Sequence, residues 1–209
     1  MRTSLARTTA RRITLVAMAA GLFLTGATAT AGAAEPAPAH QRPAVASTSE
    51  SAVVPNDLPD NTWWGVTNGE TTTSYNAYIP GYEFGCNGDQ RHKGLDVGAA
   101  TGSPIYAWGE GEVVGRGYDD GGYHRWIQVY FPDIDMSMTL GHLLDGSEMQ
   151  VGDTFSQGEK WAEVGTVADG LNHAHVHYRA AEGNWGASAI GPCDDMDPFV
   201  VWDALGLPA

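Results

Sequence analysis

The chain has 209 residues, 43% of them hydrophobic, and its 25 acidic residues outnumber 11 Lys and Arg to give a formal charge of −14. This length and apolar content suit one folded domain with appendages and exclude a chain that is disordered throughout. The charge excludes a nucleic-acid-binding protein, because such proteins neutralise phosphates with a basic face. It also argues against electrostatic binding to an anionic membrane.

The first 34 residues have the pattern of a cleavable secretory signal. They contain four Arg and no acidic residue, and the apolar run Ile13–Gly26 follows the basic end. That run is too short to span a bilayer comfortably, and Ala-x-Ala cleavage sites follow it. We therefore expect an exported protein that has no membrane contact after signal cleavage. The adjacent pair Arg11-Arg12 leaves both the general and the twin-arginine export routes open.

Beyond the signal, the composition changes once more along the chain. Residues 35–60 are rich in Pro, Ala and Ser and have no aromatic residue, which predicts a disordered linker. All 7 Trp and all 8 Tyr lie within 61–209, which we predict to be the folded domain. Only Pro198–Leu205 has a helical pattern. Short apolar runs bounded by Gly and Asp clusters predict antiparallel strands at 103–108, 111–115, 126–131 and 136–143.

The two cysteines, Cys86 and Cys193, are expected to form one disulfide bond. Export places them in an oxidising compartment, where two Cys in one small domain usually pair. The bond would connect the beginning of the folded region to its end and stabilise it by roughly 2–4 kcal/mol. Two free buried thiols are the alternative.

Five of the seven His lie in three short motifs: His92-Lys-Gly-Leu-Asp96, Gly141-His142-Leu143 and His173-Ala-His175-Val-His177. Residues two apart in a strand face the same side, so His175 and His177 project together. His92 and Asp96 can converge if a turn at Gly94 lies between them. Two imidazoles and one carboxylate are a ligand set used by zinc enzymes, which leave a fourth position for a water whose pKa falls to about 7.

His142 ends an alternating run with Met136, Met138 and Leu140, so strand parity places it on their apolar face. It is therefore either a partly buried structural histidine or a catalytic base close to a metal.

Taken together in this order and spacing, the three motifs resemble the M23 family of zinc metallopeptidases, the lysostaphin-type or LytM-type enzymes. GLDVGAATGSPIYAWGEGEVVGRG at 94–117 is similar to the family's segment after the Asp, and MDPFVVWDALG at 196–206 is similar to its C-terminal ending. The resemblance covers about 85–209. It implies a mostly β domain whose antiparallel sheets form a compact, groove-bearing fold with a short C-terminal helix.

The resemblance also implies a function and a set of site residues. One Zn²⁺ per chain would be held by His92, Asp96 and His177, while His142 and His175 would be catalytic, activating a metal-bound water or stabilising the tetrahedral intermediate. The implied substrates are peptides of bacterial peptidoglycan, in glycine cross-bridges or stem-peptide links. We accordingly expect a secreted or cell-wall endopeptidase that acts as a monomer.

The sequence departs from the family pattern at a few positions. Ala174, Val176 and Tyr178 stand where the family often has Pro, Leu and Phe, and these changes preserve strand character. His173 is additional, and we expect it to flank the groove without binding zinc, because such sites keep three protein ligands. His124 matches no motif and is expected to be exposed to solvent.

Three aromatic residues before the first motif also invite an interpretation. Tyr82 is the nearest candidate for a tyrosine that assists some members of the family. Trp63 and Trp64 are interpreted as core residues, with a wall-binding surface as the alternative.

Other functions remain alternatives at this stage. Some LytM-type domains lack their metal ligands and activate other wall hydrolases by contact, but all the candidate ligands are present here. A secreted protease of Gly-rich proteins would use the same chemistry on a different substrate. The H-x-H pair with Glu182 behind it also faintly resembles a cupin metal site, which would leave His92 and Asp96 unexplained.

Overall fold

The computed structural model of the protein describes residues 57–119, 122–166 and 173–208. The predicted signal at 1–34 and residues 35–56 of the predicted linker lie outside the described residues. No helix within the described ranges is long and apolar enough to cross a membrane.

The described elements are mostly short strands, with one 3₁₀ turn (Cys86–Gly88) and one α-helix near the C-terminus. In chain order they are β1 Thr62–Trp63, β2 Val66–Thr67, β3 Glu70–Thr73, β4 Leu95–Gly98, β5 Pro104–Tyr106, β6 Gly111–Asp119, β7 His124–Phe131, β8 Met136–Gly141, β9 Thr154–Phe155, β10 Lys160–Glu163, β11 His175–Glu182 and α1 Pro198–Ala204.

The strands form two antiparallel sheets, which confirms the predicted fold class. A seven-stranded sheet has the order β3-β4-β11-β8-β7-β6-β9, and a four-stranded sheet has the order β1-β2-β5-β10. β6 continues to Asp119, past its predicted end at Gly115, and β7 begins at His124 rather than at Trp126. The Gly-rich end of β6 is a strand because Gly117 pairs with Trp126, whose indole lies against it.

The strand at the centre of the site, β11, has two buried faces. Val176, Tyr178 and Ala180 enter the hydrophobic core, and His175, His177 and Arg179 alternate with them on the other face. The period of two therefore separates core residues from polar residues along a single strand.

Helix α1 closes one side of the core. Asp197 caps its N-terminus by accepting a hydrogen bond from the Phe199 amide at 3.0 Å, and Pro198 occupies the first turn, where no amide donor is needed. Trp202 packs on Trp64, with ring centroids 4.8 Å apart. Trp64 thus packs against the core as predicted, whereas Trp63 is 48% exposed.

The predicted disulfide is present between Cys86 and Cys193, which lie 107 residues apart in sequence. It links the 3₁₀ turn before β4 to the loop before α1. The alternative of two free thiols is therefore wrong.

Candidate functional site

Strand register brings two of the candidate metal ligands together. β4 and β11 are antiparallel neighbours in which Asp96 lies directly opposite His177. Side chains of directly opposed residues share one face and lie within contact distance. His92 joins them from the segment before β4, so residues that are distant in sequence form one buried group.

The three donor atoms of this group form a small triangle. His92 Nε2 lies 3.2 Å from Asp96 Oδ1 and 3.2 Å from His177 Nδ1, and His177 Nδ1 lies 2.8 Å from Asp96 Oδ1. A tetrahedral zinc ion with bonds of about 2.0–2.2 Å places its donor atoms about 3.3 Å apart. The two nitrogens and one oxygen therefore have the spacing and chemistry of a zinc site.

Neighbouring groups fix how the two imidazoles are oriented. His92 Nδ1 donates a hydrogen bond to the Ser74 carbonyl at 3.2 Å, which directs Nε2 toward the group. The His177 ring packs on Gly94, where a Cβ would collide with its Nε2 atom and with the Tyr178 carbonyl. Gly94 thus provides space for the His177 ring rather than the positive φ of a tight turn.

The protonation states of the group suit a cation. Burial raises the pKa of Asp96, but hydrogen bonds from His177 and His92 outweigh it and hold that pKa well below its usual range. Burial lowers the pKa of His177 to about 4, against the opposing effect of Asp96. At neutral pH the carboxylate is charged and His177 is neutral, the forms that bind a metal ion.

His175 lies beside this group without belonging to it. Its Nδ1 donates a hydrogen bond to the His173 carbonyl at 2.9 Å, and its Nε2 lies 3.7 Å from Asp96 Oδ1. With its proton on Nδ1, the ring presents Nε2 to the candidate metal site. His173 itself is exposed, precedes β11 and contributes no atom to the buried group.

His142 does not lie on the apolar face of β8, so the parity argument was wrong for this residue. β8 ends at Gly141, and the positive φ of His142 (61°) turns its ring toward His175, with ring centroids 4.6 Å apart. The His142 amide donates a hydrogen bond to the Tyr123 carbonyl at 2.7 Å, which holds this conformation. Burial, and then the nearby His177 and His175, lower the pKa of His142 to about 2.

The expectation that His124 is exposed in a loop was also wrong. It begins β7 with φ 53°, is half-buried, and lies 5.6 Å from the His142 ring. Its Nδ1 is buried and has no hydrogen-bond partner within the described ranges. His124, at the start of β7, and His142, just after the end of β8, therefore have the same left-handed backbone conformation. Because β7 and β8 are paired, both rings face one cleft.

The cleft has a volume of about 930 Å³ and includes every histidine discussed above. Tyr82 also lines it, 5.9 Å from the His92 ring, where the sequence predicted a tyrosine. Sequence reasoning missed Tyr123 and Arg179, which also line the cleft, with the Arg179 guanidinium 5.0 Å from the centre of the Tyr123 ring. Arg179 Nε donates to the Lys93 carbonyl at 2.6 Å and so fixes the backbone next to His92.

Comparison with known proteins is consistent with this geometry. The profile described as Peptidase family M23 matches residues 90–189, the range that includes the whole buried group. Residues 90–189 form an M23 peptidase domain. A search of curated protein sequences finds no significant match to the chain. Glu182, the residue behind the cupin alternative, is exposed and does not belong to the buried group of His92, Asp96 and His177.

The M23 domain is similar in fold to two solved structures of the antimicrobial peptidase lysostaphin from Staphylococcus simulans. Its catalytic domain gives a TM-score of 0.53 at 19% identity and covers 65% of this chain and 93% of that chain. A longer lysostaphin structure gives a TM-score of 0.55 at 20% identity, covering 68% of this chain and 53% of that one. This chain thus spans about half the length of that longer protein.

Proposed function

We propose that this chain is a secreted zinc endopeptidase that hydrolyses peptide bonds in bacterial peptidoglycan. The observation that carries the proposal is the triangle of His92, Asp96 and His177 donor atoms, which lies beside His142 and His175 in an open cleft. Membership of the M23 peptidase family supports the same reaction class.

The residues fit a zinc ion, with His92 Nε2, Asp96 Oδ1 and His177 Nδ1 as its ligands and one ion per chain. Three protein donors leave a coordination position open to water or substrate, as in catalytic rather than structural zinc sites. When bound, the ion supplies a Lewis acid that polarises a peptide carbonyl and increases the acidity of water.

His175 has the orientation of a general base. Its Nδ1–H is fixed on the His173 carbonyl, so the Nε2 lone pair is directed into the cleft beside Asp96. A positioned imidazole of this kind accepts a proton from the attacking water and returns it to the leaving amine. His173 contributes its backbone carbonyl to this arrangement, and its ring borders the cleft beside His175.

His142 has the properties of a neutral hydrogen-bond donor. Its low pKa keeps the ring uncharged at pH 7, and its Nδ1 is buried without a described partner. Because an unpaired buried N–H costs more than an unpaired acceptor, the proton belongs on Nε2. His142 can then donate to the carbonyl oxygen that gains negative charge in the transition state.

The rest of the chain completes the proposal. Residues 1–34 direct export and are removed, and 35–60 connect the mature N-terminus to the domain at 61–209. The mature protein then acts on the cell wall as a secreted monomer.

Digestion of purified sacculi by the zinc-loaded mature protein tests this function. We expect release of soluble muropeptides, whose masses identify the bond that is cleaved, and loss of release after chelation. A Gly-rich protein in a parallel reaction tests the broader protease alternative. A protein that binds no zinc, leaves sacculi intact and stimulates another hydrolase would instead be a non-catalytic activator.

A further inference from the structure

Two loop segments line one part of the cleft and meet at the disulfide. Residues 79–85 end next to Cys86, and residues 189–192 end next to Cys193. The Cα atoms of the two cysteines lie 4.8 Å apart. We refer to the cleft-lining residues Ile79, Phe84, Ile190 and Pro192 of these segments as the disulfide-linked wall.

The disulfide-linked wall is apolar, whereas the candidate metal site beside it consists of polar side chains. Phe84 is 51% exposed, Ile79 and Pro192 are half-buried, and all three border the cleft. Phe84 also packs against Tyr82, which in turn contacts His92, with ring centroids 5.6 and 5.9 Å apart. The apolar surface is therefore continuous with the site where a peptide would be cut.

The two segments are not held in place equally. Ile190 is fixed to the sheet, because its amide donates to Thr139 Oγ1 at 3.0 Å and its carbonyl accepts from Tyr123 Oη at 2.7 Å. Segment 79–85 hydrogen-bonds to its own neighbour Gln90, through the amides of Ile79 and Gly81. The disulfide is thus the covalent link that holds the Phe84 segment against a rigid one.

We propose that the disulfide-linked wall is a subsite for an aliphatic side chain of the substrate peptide, next to the scissile bond. This inference rests on the proposed endopeptidase function and specifies its substrate. A glycine chain has no side chain to cover the wall, whereas an alanine methyl removes both its own surface and that of Phe84 from water. The protein therefore cleaves alanine-containing stem-peptide links in preference to glycine cross-bridges.

Three synthetic peptides, pentaglycine and the L- and D-forms of pentaalanine, test the subsite with the zinc-loaded mature protein. One methyl group in an apolar pocket changes kcat/KM by roughly tenfold or more. We expect at least that preference for one alanine form over glycine, and a Phe84→Ala variant that loses most of it through a higher KM. The paired Cys86→Ser/Cys193→Ser variant should lose the preference as well while it keeps its zinc.

Tyr78→Ala is the matched control, because Tyr78 is a neighbouring aromatic residue, 60% exposed, that does not line the cleft. Its kinetics should equal those of the wild type. Equal or better cleavage of pentaglycine by the wild type, or an unchanged preference in the Phe84 variant, overturns the subsite while the endopeptidase function stands. If the wild type cleaves neither peptides nor sacculi, the function itself fails, and the ratio of the peptides' dissociation constants with metal-free protein still decides whether the wall selects alanine.

Discussion

Replacing Gly94 with alanine tests how the site is built, because Gly94 does not line the cleft. An added Cβ would overlap both the His177 ring and the Tyr178 carbonyl. The carbonyl belongs to the paired strand β11 and cannot move away, so His177 must shift instead. Overpacking of a close contact costs about 1–3 kcal/mol of stability.

The same shift has a separate effect on metal binding. His177 Nδ1 lies 2.8 Å from Asp96 Oδ1, and displacing the ring spoils the triangle of donor atoms. Disturbing the groups that orient a ligand typically weakens metal affinity about 10–100-fold. We therefore expect Gly94→Ala to be less stable without metal and to bind zinc at least about tenfold more weakly.

Urea unfolding of the metal-free protein and competitive zinc titration measure the two effects independently. Gly102→Ala is the control, because Gly102 has φ 83° and open space around the added Cβ. That variant should lose about 1 kcal/mol through backbone strain and keep its zinc affinity. Wild-type zinc affinity in Gly94→Ala would refute the claim that this glycine positions His177.

Three further outcomes follow from the site and the fold. His177→Ala should lose both zinc and activity, whereas His175→Ala should keep zinc and lose about 10²–10⁴-fold in kcat, as measured by metal analysis and steady-state kinetics. The free energy of unfolding of metal-free protein should fall as the pH drops below about 6.5. His142 then binds a proton in the unfolded chain but not in the folded chain, because burial lowers its folded pKa to about 2. The slope is up to about 1.4 kcal/mol per pH unit for this residue, and a His142→Asn variant without a shallower slope would contradict it. Reduction of Cys86–Cys193 should lower Tm by roughly 5–15 °C in calorimetry, and an unchanged Tm would show that the bond does not constrain the unfolded chain.

The common face of His175 and His177 could be predicted from sequence because strand periodicity determines it, whereas the choice of His92, Asp96 and His177 as metal ligands was implied by the family resemblance. His175 and His177 share one face of β11 while Val176 enters the core, as their spacing of two requires. The antiparallel register then places Asp96 opposite His177. The type of fold was accessible as well, since short apolar runs at hairpin-like spacing between Gly and Asp clusters favour antiparallel strands.

The positions of His142 and His124 could not be predicted because they depend on backbone conformations that have no sequence signal. Both residues have positive φ, which is uncommon for residues other than glycine, and at His142 it reverses the side-chain direction expected from parity. Tertiary hydrogen bonds, such as that from the His142 amide to the Tyr123 carbonyl, hold these conformations. Such strain is concentrated at functional sites, where the surrounding structure over-determines it.

Two further features of the site depend on close contacts between residues that are distant in sequence, so no motif indicates them. Gly94 was assigned a turn, but its absent side chain makes room for the His177 ring. Arg179 and Tyr123 stack at the cleft although they lie 56 residues apart in sequence, so no local pattern connects them.

X-ray absorption spectroscopy of the purified mature protein, combined with its metal content, tests the central claim most directly. We predict one zinc ion per chain, bound by two imidazole nitrogens and oxygen donors, and no zinc in the Asp96→Ala variant. A protein that takes up no zinc, or a zinc spectrum that is unchanged in that variant, would contradict the assignment of His92, Asp96 and His177 as the metal site.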